Sequence, residues 1–278
     1  MLLNKRLLLV LDDQDPACLA LQRGHLIATR LHSPVSIVWL GDDVVKAGQA
    51  VAQLEADGIA VTLYHCARHK LLKQLSELLL QQPVGLLIKS CDPRTLGFMT
   101  SIDGHILRDL PCPVLLIKEQ RLWQGGVVMA AVNALTDDPQ QIQLNDDLMR
   151  VAAQIAVVTE SALTAAVAYP SAMMGADPVL QSEHLIQAKA EQALAAQLRR
   201  LALTVQAMAV GEGPAEHWLP LAAQQLQARL TVIGTRARGG LKGALIGNTA
   251  ERILTRLEGD ILVLRIGLAD EVVPLLNQ

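Results

Sequence analysis

The sequence is poor in aromatic residues: one Phe, two Tyr and three Trp make up 2% of 278 residues. A hydrophobic core must therefore be built from Leu, Ile, Val and Ala, which suits helices packed on buried parallel strands. Binding of single-stranded nucleic acid by aromatic stacking is not expected. The formal net charge is −3, and without a basic face the chain has no electrostatic footprint for duplex DNA. Nucleic acid is therefore not an expected partner.

Closely spaced cysteines are also absent. The four cysteines are widely separated along the chain: Cys18, Cys66, Cys91 and Cys112. No CxxC pair occurs, which argues against a zinc ribbon, a redox dithiol or a disulfide framework. His65, Cys66 and His69 have ligand-like spacing, but the sequence offers no identifiable further ligand to complete a metal site. We predict reduced thiols and no bound metal.

Long apolar runs are missing as well. No stretch approaches the roughly 20 apolar residues that a membrane helix needs. The opening MLLNKRLLLVLDD has a short apolar run that ends at Asp12 and Asp13 without a small-residue cleavage site. It is therefore predicted to be a strand rather than a secretory signal. The expected location is cytoplasmic.

Apolar runs of strand length alternate with amphipathic stretches of helical length, and the order repeats in the second half of the chain. VGLLIK matches LTVIGT, and PCPVLLIK matches GDILVLRI. This pattern predicts an α/β fold of two tandem Rossmann-like domains. Each is expected to be a five-stranded parallel sheet flanked by helices. The predicted domains are residues 1–121 and 122–278, joined near the polar and glycine-containing segment 120–126.

The predicted strands are, in chain order, 7–11, 35–40, 60–64, 85–88, 114–118, 127–132, 163–168, 204–209, 230–233 and 261–265. The first predicted helix begins at Pro16 and the last one spans 249–257.

A glycine-rich segment, GTRARGGLKGALIGNTAERIL, follows a predicted strand and begins at Gly234. In open α/β sheets, ligands bind beyond the carboxyl ends of the strands. Asn248 and Thr249 start the next predicted helix, whose free N–H groups and dipole favour a phosphate. Arg236 and Arg238 can add charge-assisted hydrogen bonds.

The same segment is equally compatible with a purely structural turn, in which glycines end the strand and Asn248 caps the helix with Glu251 placed for a capping-box contact. It is not a Walker A loop, because no GKS or GKT occurs.

These residues resemble the universal stress protein family, and specifically its tandem, two-domain E type. The resemblance implies that the two domains are of the adenine nucleotide alpha hydrolase-like kind. The family signature is Gly, two residues, Gly, nine residues, Gly, then Ser or Thr, and in the nucleotide-binding members it wraps the ribose and phosphates of ATP. Gly234 and Gly247 match its first and last glycines, whereas Ala237 stands at the second and Asn248 replaces the hydroxyl residue. The run GALIGNTAERIL is especially similar to the E-type proteins.

The family's adenine-side acidic residue ends the first strand. Asp12 matches it in the first half, and Asn133 occupies that place in the second. In the first half, SCDPRTLGFMTSIDG replaces the phosphate loop, with its glycines out of register. The resemblance thus implies ATP as a candidate cofactor. It implies a nucleotide- or anion-binding site in the second half at Asn133, Gly234, Thr235, Arg236, Ala237, Arg238, Gly247, Asn248 and Thr249.

No catalytic residues are predicted, because the remaining histidines lie in predicted helices with no nucleophile and base in view. These histidines are His25, His105, His184 and His217. The favoured function is a non-enzymatic stress-response protein that acts through ligand and protein binding.

Two alternatives stay open. One is a weak ATP-binding or ATP-hydrolysing protein using residues 234–249. The other is a carrier of an apolar small molecule, with Met173, Met174 and Leu180 as adaptable lining. Two aspartate pairs, Asp12 with Asp13 and Asp137 with Asp138, have the chemistry to hold magnesium but also resemble helix starts.

The family dimerises along its last strand. The resemblance therefore implies that Val114–Lys118 pairs with Ile261–Arg265 in an intramolecular pseudo-dimer. Whether the whole chain is a monomer or a homodimer, and which proteins it contacts, is left open.

Overall fold

The computed structural model describes residues 5–13, 15, 17–91, 101–172, 182–235 and 248–265. The described residues up to Gln120 form one compact unit, and those from Arg121 onward form a second. Both units are α/β, with parallel strands and intervening helices, so the predicted fold class is confirmed.

The first unit contains five strands and four helices in its described part. They are β1 (Arg6–Asp12), α1 (Leu19–Leu31), β2 (Val35–Leu40), α2 (Val44–Glu55), β3 (Val61–Cys66), α3 (Leu71–Gln81), β4 (Val84–Ser90), α4 (Ile102–Asp109) and β5 (Val114–Ile117). A single 3₁₀ turn, Arg68–Lys70, leads into α3. The sheet order is β3-β2-β1-β4-β5, and neighbouring strands are parallel.

The second unit repeats this order. Its elements are β6 (Val127–Ala131), α5 (Pro139–Val158), β7 (Ala162–Tyr169), α6 (Glu183–Leu201), β8 (Ala207–Glu212), α7 (Ala215–Gln225), β9 (Ala228–Thr235), α8 (Asn248–Arg256) and β10 (Asp260–Arg265). The strands lie in the order β8-β7-β6-β9-β10 and are again parallel.

Aliphatic side chains from both faces of the strands form the core. Every residue of β2 is buried, as are Leu7–Leu11 of β1 and Ile261–Leu264 of β10. Strands buried on both faces need helices on both sides, which explains their nearly unbroken apolar sequences. The charged residues of β1 and β10 lie at the ends of these strands.

Two elements start later than the sequence predicts. Asp15 accepts hydrogen bonds from the N–H groups of Ala17 and Leu19 at 3.1 and 3.2 Å, and Cys18 is left-handed at φ 47°. A side-chain-bonded turn therefore precedes α1, which begins at Leu19 rather than Pro16. β8 begins at Ala207 because α6 ends in a left-handed cap at Ala202, and the following residues return the chain to the sheet.

Candidate functional site

The strand order reverses once in each unit. In the first unit this happens between β1 and β4, and in the second between β6 and β9. A crevice opens at the carboxyl ends of the strands at such a point, and ligands of open α/β sheets bind there. We therefore examined the residues that end these four strands.

In the second unit, Asn133 follows β6 and is exposed. Its backbone is held by Asn145 of α5, whose Nδ2 donates to the Asn133 carbonyl at 2.7 Å and whose Oδ1 accepts from the Asn133 N–H at 3.2 Å. Gln141 also donates to Asn145 Oδ1, at 3.1 Å. Among the residues that the structure describes, the Asn133 carboxamide itself has no partner. Its backbone is thus fixed while its side chain is available to a ligand.

Gly234 and Thr235 end β9 and pack within the unit. A Cβ atom at Gly234 would lie 2.6 Å from Leu144 Cδ2, so the absence of a side chain allows α5 to approach the strand. Thr235 is buried, and its hydroxyl donates to the Leu264 carbonyl of β10 at 3.4 Å. Gly234 thus allows close packing of α5 on the strand, and the Thr235 side chain is buried within the unit.

Most of the remaining predicted site residues lie outside the part of the chain that the structure describes. Arg236, Ala237, Arg238 and Gly247 lie outside the described residues, as do the apolar candidates Met173, Met174 and Leu180. Asn248 begins α8, and Thr249, in its first turn, is exposed.

The polar contacts that join α8 to α7 are a feature that the sequence did not predict. Arg252 pairs with Glu216 of α7 at 3.1 Å. Arg256 donates to the Glu216 carbonyl at 3.0 Å and to Nδ1 of His217 at 2.8 Å. On the other side of the helix, Ile253 and Leu254 are buried. The i, i+4 spacing of the two arginines is the only signal in the sequence, and it does not identify the partner.

In the first unit, the polar side chains at the strand ends are paired with other side chains. Arg68, in the 3₁₀ turn after β3, donates to Asp12 and, at 2.7 Å, to Asp13. Asp13 also accepts from the Asp42 N–H at 3.3 Å. The two carboxylates that the sequence offered to magnesium are therefore paired with an arginine. Asp138 of the other candidate pair caps α5, accepting from the Gln140 N–H at 2.9 Å.

The end of β4 is tied to both neighbouring helices. Ser90 donates to Asp15 at 2.7 Å and accepts from the Ala20 N–H of α1 at 3.0 Å. Lys89 forms an ion pair with Asp103 of α4 at 2.8 Å, and the two side chains are only 10% and 3% exposed. In this unit the polar groups at the strand ends bind one another.

No histidine in the described residues is hydrogen-bonded to a hydroxyl or a thiol that it could activate as a nucleophile. His25 lies 2.5 Å from Asp57 and 3.2 Å from Gln53, and His105 contacts Asp109. Burial, and then Asp15, raises the pKa of the Cys18 thiol, so it is a poor nucleophile near neutral pH. Burial likewise raises the pKa of Cys66. Across the described ranges, no set of three or more His, Cys, Asp or Glu is placed to hold a metal ion.

Within the described part of the chain, no helix combines the length and apolar character needed to cross a bilayer.

Comparison with known proteins gives a consistent result. The profile of the universal stress protein family matches residues 143–265. Universal stress protein E of Salmonella typhi is 31% identical over 179 residues, which are 60% of this chain and 55% of that protein. The chain therefore spans about half the length of the curated relatives it matches.

Two solved structures are similar over nearly their whole length. A Pseudomonas aeruginosa UCBPP-PA14 protein assigned to the universal stress proteins is 31% identical, with a TM-score of 0.78, and the match covers 94% of this chain and 93% of that one. A protein of unknown function from Pseudomonas aeruginosa PAO1 is 32% identical, with a TM-score of 0.79 and coverage of 94% and 92%.

Proposed function

The chain belongs to the universal stress protein family and is of its E type, and from this premise we propose that it is a non-enzymatic stress-response protein whose second unit binds the ligand. The observation that carries the proposal is the contrast between Asn133 and Asp12. The Asn133 side chain is exposed beside the β6–β9 reversal, whereas Asp12 is paired with Arg68.

The proposed ligand is an adenine nucleotide, bound weakly. Its phosphates would lie against the N-terminus of α8, where N–H groups and the helix dipole favour negative charge, with Arg236 and Arg238 adding positive charge. Asn133 would contact the base, and its neutral carboxamide offers both a donor and an acceptor. Ala237 stands where the family signature has a glycine. Its additional methyl group would hinder close contact between the ligand and the backbone, which is why weak binding is proposed. One nucleotide per chain is expected.

A binding role rather than catalysis is supported by the chemistry of the described side chains. The histidines with hydrogen-bond partners in this part of the chain contact carboxylates, an amide or arginines, and none contacts a hydroxyl or thiol. Hydrolysis of a bound nucleotide would need a base held beside an attacking water.

Isothermal titration of the full chain with ATP to millimolar concentration tests the proposal, together with mass spectrometry of any copurifying molecule. We expect one site per chain, and no phosphate release above that of ATP alone. Gly247→Val should abolish binding by blocking the loop. Asp12→Ala, which changes the first-unit residue that corresponds to Asn133, is the control and should leave binding unchanged.

Several outcomes would overturn parts of the proposal. An absence of heat at millimolar ATP would remove the nucleotide as ligand, and a copurified lipid-like mass would favour the apolar carrier instead. Two sites per chain would contradict the asymmetry. Phosphate release that Gly247→Val abolishes would make the protein an ATPase.

A further inference from the structure

A polar cluster joins α8 to α7 in the second unit, and we name it the α7–α8 clamp. It consists of Glu216, His217, Arg252 and Arg256. The Glu216 carboxylate accepts from Arg252 at 3.1 Å, and the Glu216 carbonyl accepts from Arg256 at 3.0 Å. The same Arg256 nitrogen donates to His217 at 2.8 Å. Two successive turns of α8 are thus held by two adjacent residues of α7.

The surroundings of the Glu216 carboxylate favour its ionised form. Its side chain is 14% exposed, compared with 63% for Arg252. The Glu216 carboxylate accepts a hydrogen bond from its own backbone N–H, and this bond, together with the Arg252 guanidinium, holds the pKa of Glu216 below its usual range against the opposing effect of burial. Glu216 also lies in the first turn of α7, where the helix dipole favours negative charge.

The clamp matters because α8 is short. A helix of nine residues is not stable alone in water, so tertiary contacts must position it. Ile253, Leu254 and Leu257 bury its apolar side and set its depth on the unit. Apolar packing is non-directional and leaves rotation and sliding along the axis weakly determined. Directed bonds from Arg252 and Arg256 restrict these two movements.

Arg252 lies one turn from the residues that begin α8. We infer that Glu216 is a positioning residue for the ligand site of the second unit, acting through Arg252 and Arg256 without touching the ligand. The inference rests on the proposed function, since it assigns to the start of α8 the role of binding the phosphates.

A double-mutant cycle on the full chain tests this, using Glu216→Gln, Arg252→Gln and the double variant. Glu77→Gln serves as the control, because Glu77 pairs with Lys73 of the same helix at 3.8 Å and joins no two helices. Two readouts are used: backbone amide hydrogen exchange across residues 248–256 without ligand, and isothermal titration with ATP.

We expect Glu216→Gln to speed exchange in α8 and to weaken ATP binding by up to about fivefold each, the range for an ion pair with one solvent-exposed partner. The double variant should be no worse than either single variant, since both remove the same contact. The thermal midpoint should move little in comparison, and Glu77→Gln should leave both readouts unchanged.

Failure of the inference and failure of the proposed function are distinguishable. Unchanged exchange in α8 after Glu216→Gln would overturn the inference whatever the chain binds. Faster exchange with unaltered ATP affinity would reduce the clamp to a structural role and would also overturn it. If the unsubstituted chain binds no ATP, the proposed function fails, and the positioning role fails with it even where exchange in α8 is faster.

Discussion

The two units end their corresponding strands with different chemistry. Val10 of β1 pairs with Lys89, and Ala131 of β6 pairs with Ile233. Counting from these pairs, Lys89 corresponds to Ile233 and Ser90 to Gly234. In the first unit these positions carry an ion pair and a hydroxyl bonded to α1, and in the second they carry an aliphatic side chain and a glycine.

This difference separates strand ends whose polar groups are paired from strand ends that keep an exposed polar side chain. Polar groups at the strand ends of the first unit satisfy one another, which stabilises the unit and leaves them unavailable to a ligand. In the second unit, an asparagine backbone is fixed by Asn145 and its side chain remains exposed. The two kinds of strand end are therefore expected to respond differently to substitution.

The largest effect is expected from the buried ion pair. Asp103→Leu leaves Lys89 buried without its carboxylate and should cost about 3–5 kcal/mol. The double variant Lys89→Ile with Asp103→Leu, which gives β4 the residue found in β9, should come within about 1 kcal/mol of the original stability or exceed it. Urea unfolding with hydrogen exchange resolved for β1 and β4 measures both. A single variant as stable as the double one would contradict the prediction.

A smaller effect is expected from exchanging Ser90 and Gly234, the residues that follow Lys89 and Ile233 in the two units. Gly234→Ser places a Cβ 2.6 Å from Leu144 Cδ2 and should cost about 1–3 kcal/mol through overpacking. The reverse change, Ser90→Gly, removes one hydrogen bond to Ala20 of α1 and one to Asp15, and should cost roughly 1 kcal/mol. Adding Leu144→Ala should make the Gly234→Ser loss less than additive, as urea unfolding would show. Full additivity would mean that the close approach is not the cause.

Acid should act on the second unit through Glu216. The pKa of this carboxyl is lowered in the folded protein, so its stabilisation is complete above the ordinary value of 4.5 and is lost as pH falls through the folded value. Below about pH 4.5, the stability of the unsubstituted chain should therefore fall more steeply than that of Glu216→Gln. Urea midpoints measured at decreasing pH test this. If the urea midpoints of the two proteins fell equally steeply with decreasing pH, Glu216 would contribute nothing to the loss of stability in acid.

The smallest change in stability is expected at Arg68. Its side chain is 38% exposed, and ion pairs at such sites are worth about 0–1 kcal/mol. Arg68→Ala should thus shift the urea midpoint little, close to the control Lys73→Ala. ATP titration should still give one site, because the first half lacks the glycine loop. A second site in Arg68→Ala would show that the arginine alone closes the first crevice.

Much of the fold could be predicted from the sequence because strand and helix periods are local properties. Val35–Leu40 has the predicted limits. The starts of α1 and β8 were wrong because they depend on Asp15 bonding to the backbone ahead of it and on a left-handed residue at Ala202. Neither interaction has a hydrophobic period, so apolar patterning does not reveal it.

The candidate site was predictable only in outline. Position after a strand was enough to single out Asn133 and Gly234, but Gly234 serves the packing of Leu144 rather than a ligand in the described structure. Arg68 was missed because it lies 56 residues from its partner Asp12, and no sequence pattern joins the two.

The sequence by itself determined the βα order, the repeat and the residues that stand at strand ends, since each follows from hydrophobic spacing along a short stretch of chain. Tertiary structure alone decided what those residues do. Asp12 receives an arginine, Lys89 an aspartate and Arg252 a glutamate from distant elements. Such pairings depend on which surfaces the packed helices bring together. Charged residues that are far apart in the sequence form no repeating pattern, so the sequence does not identify which of them pair.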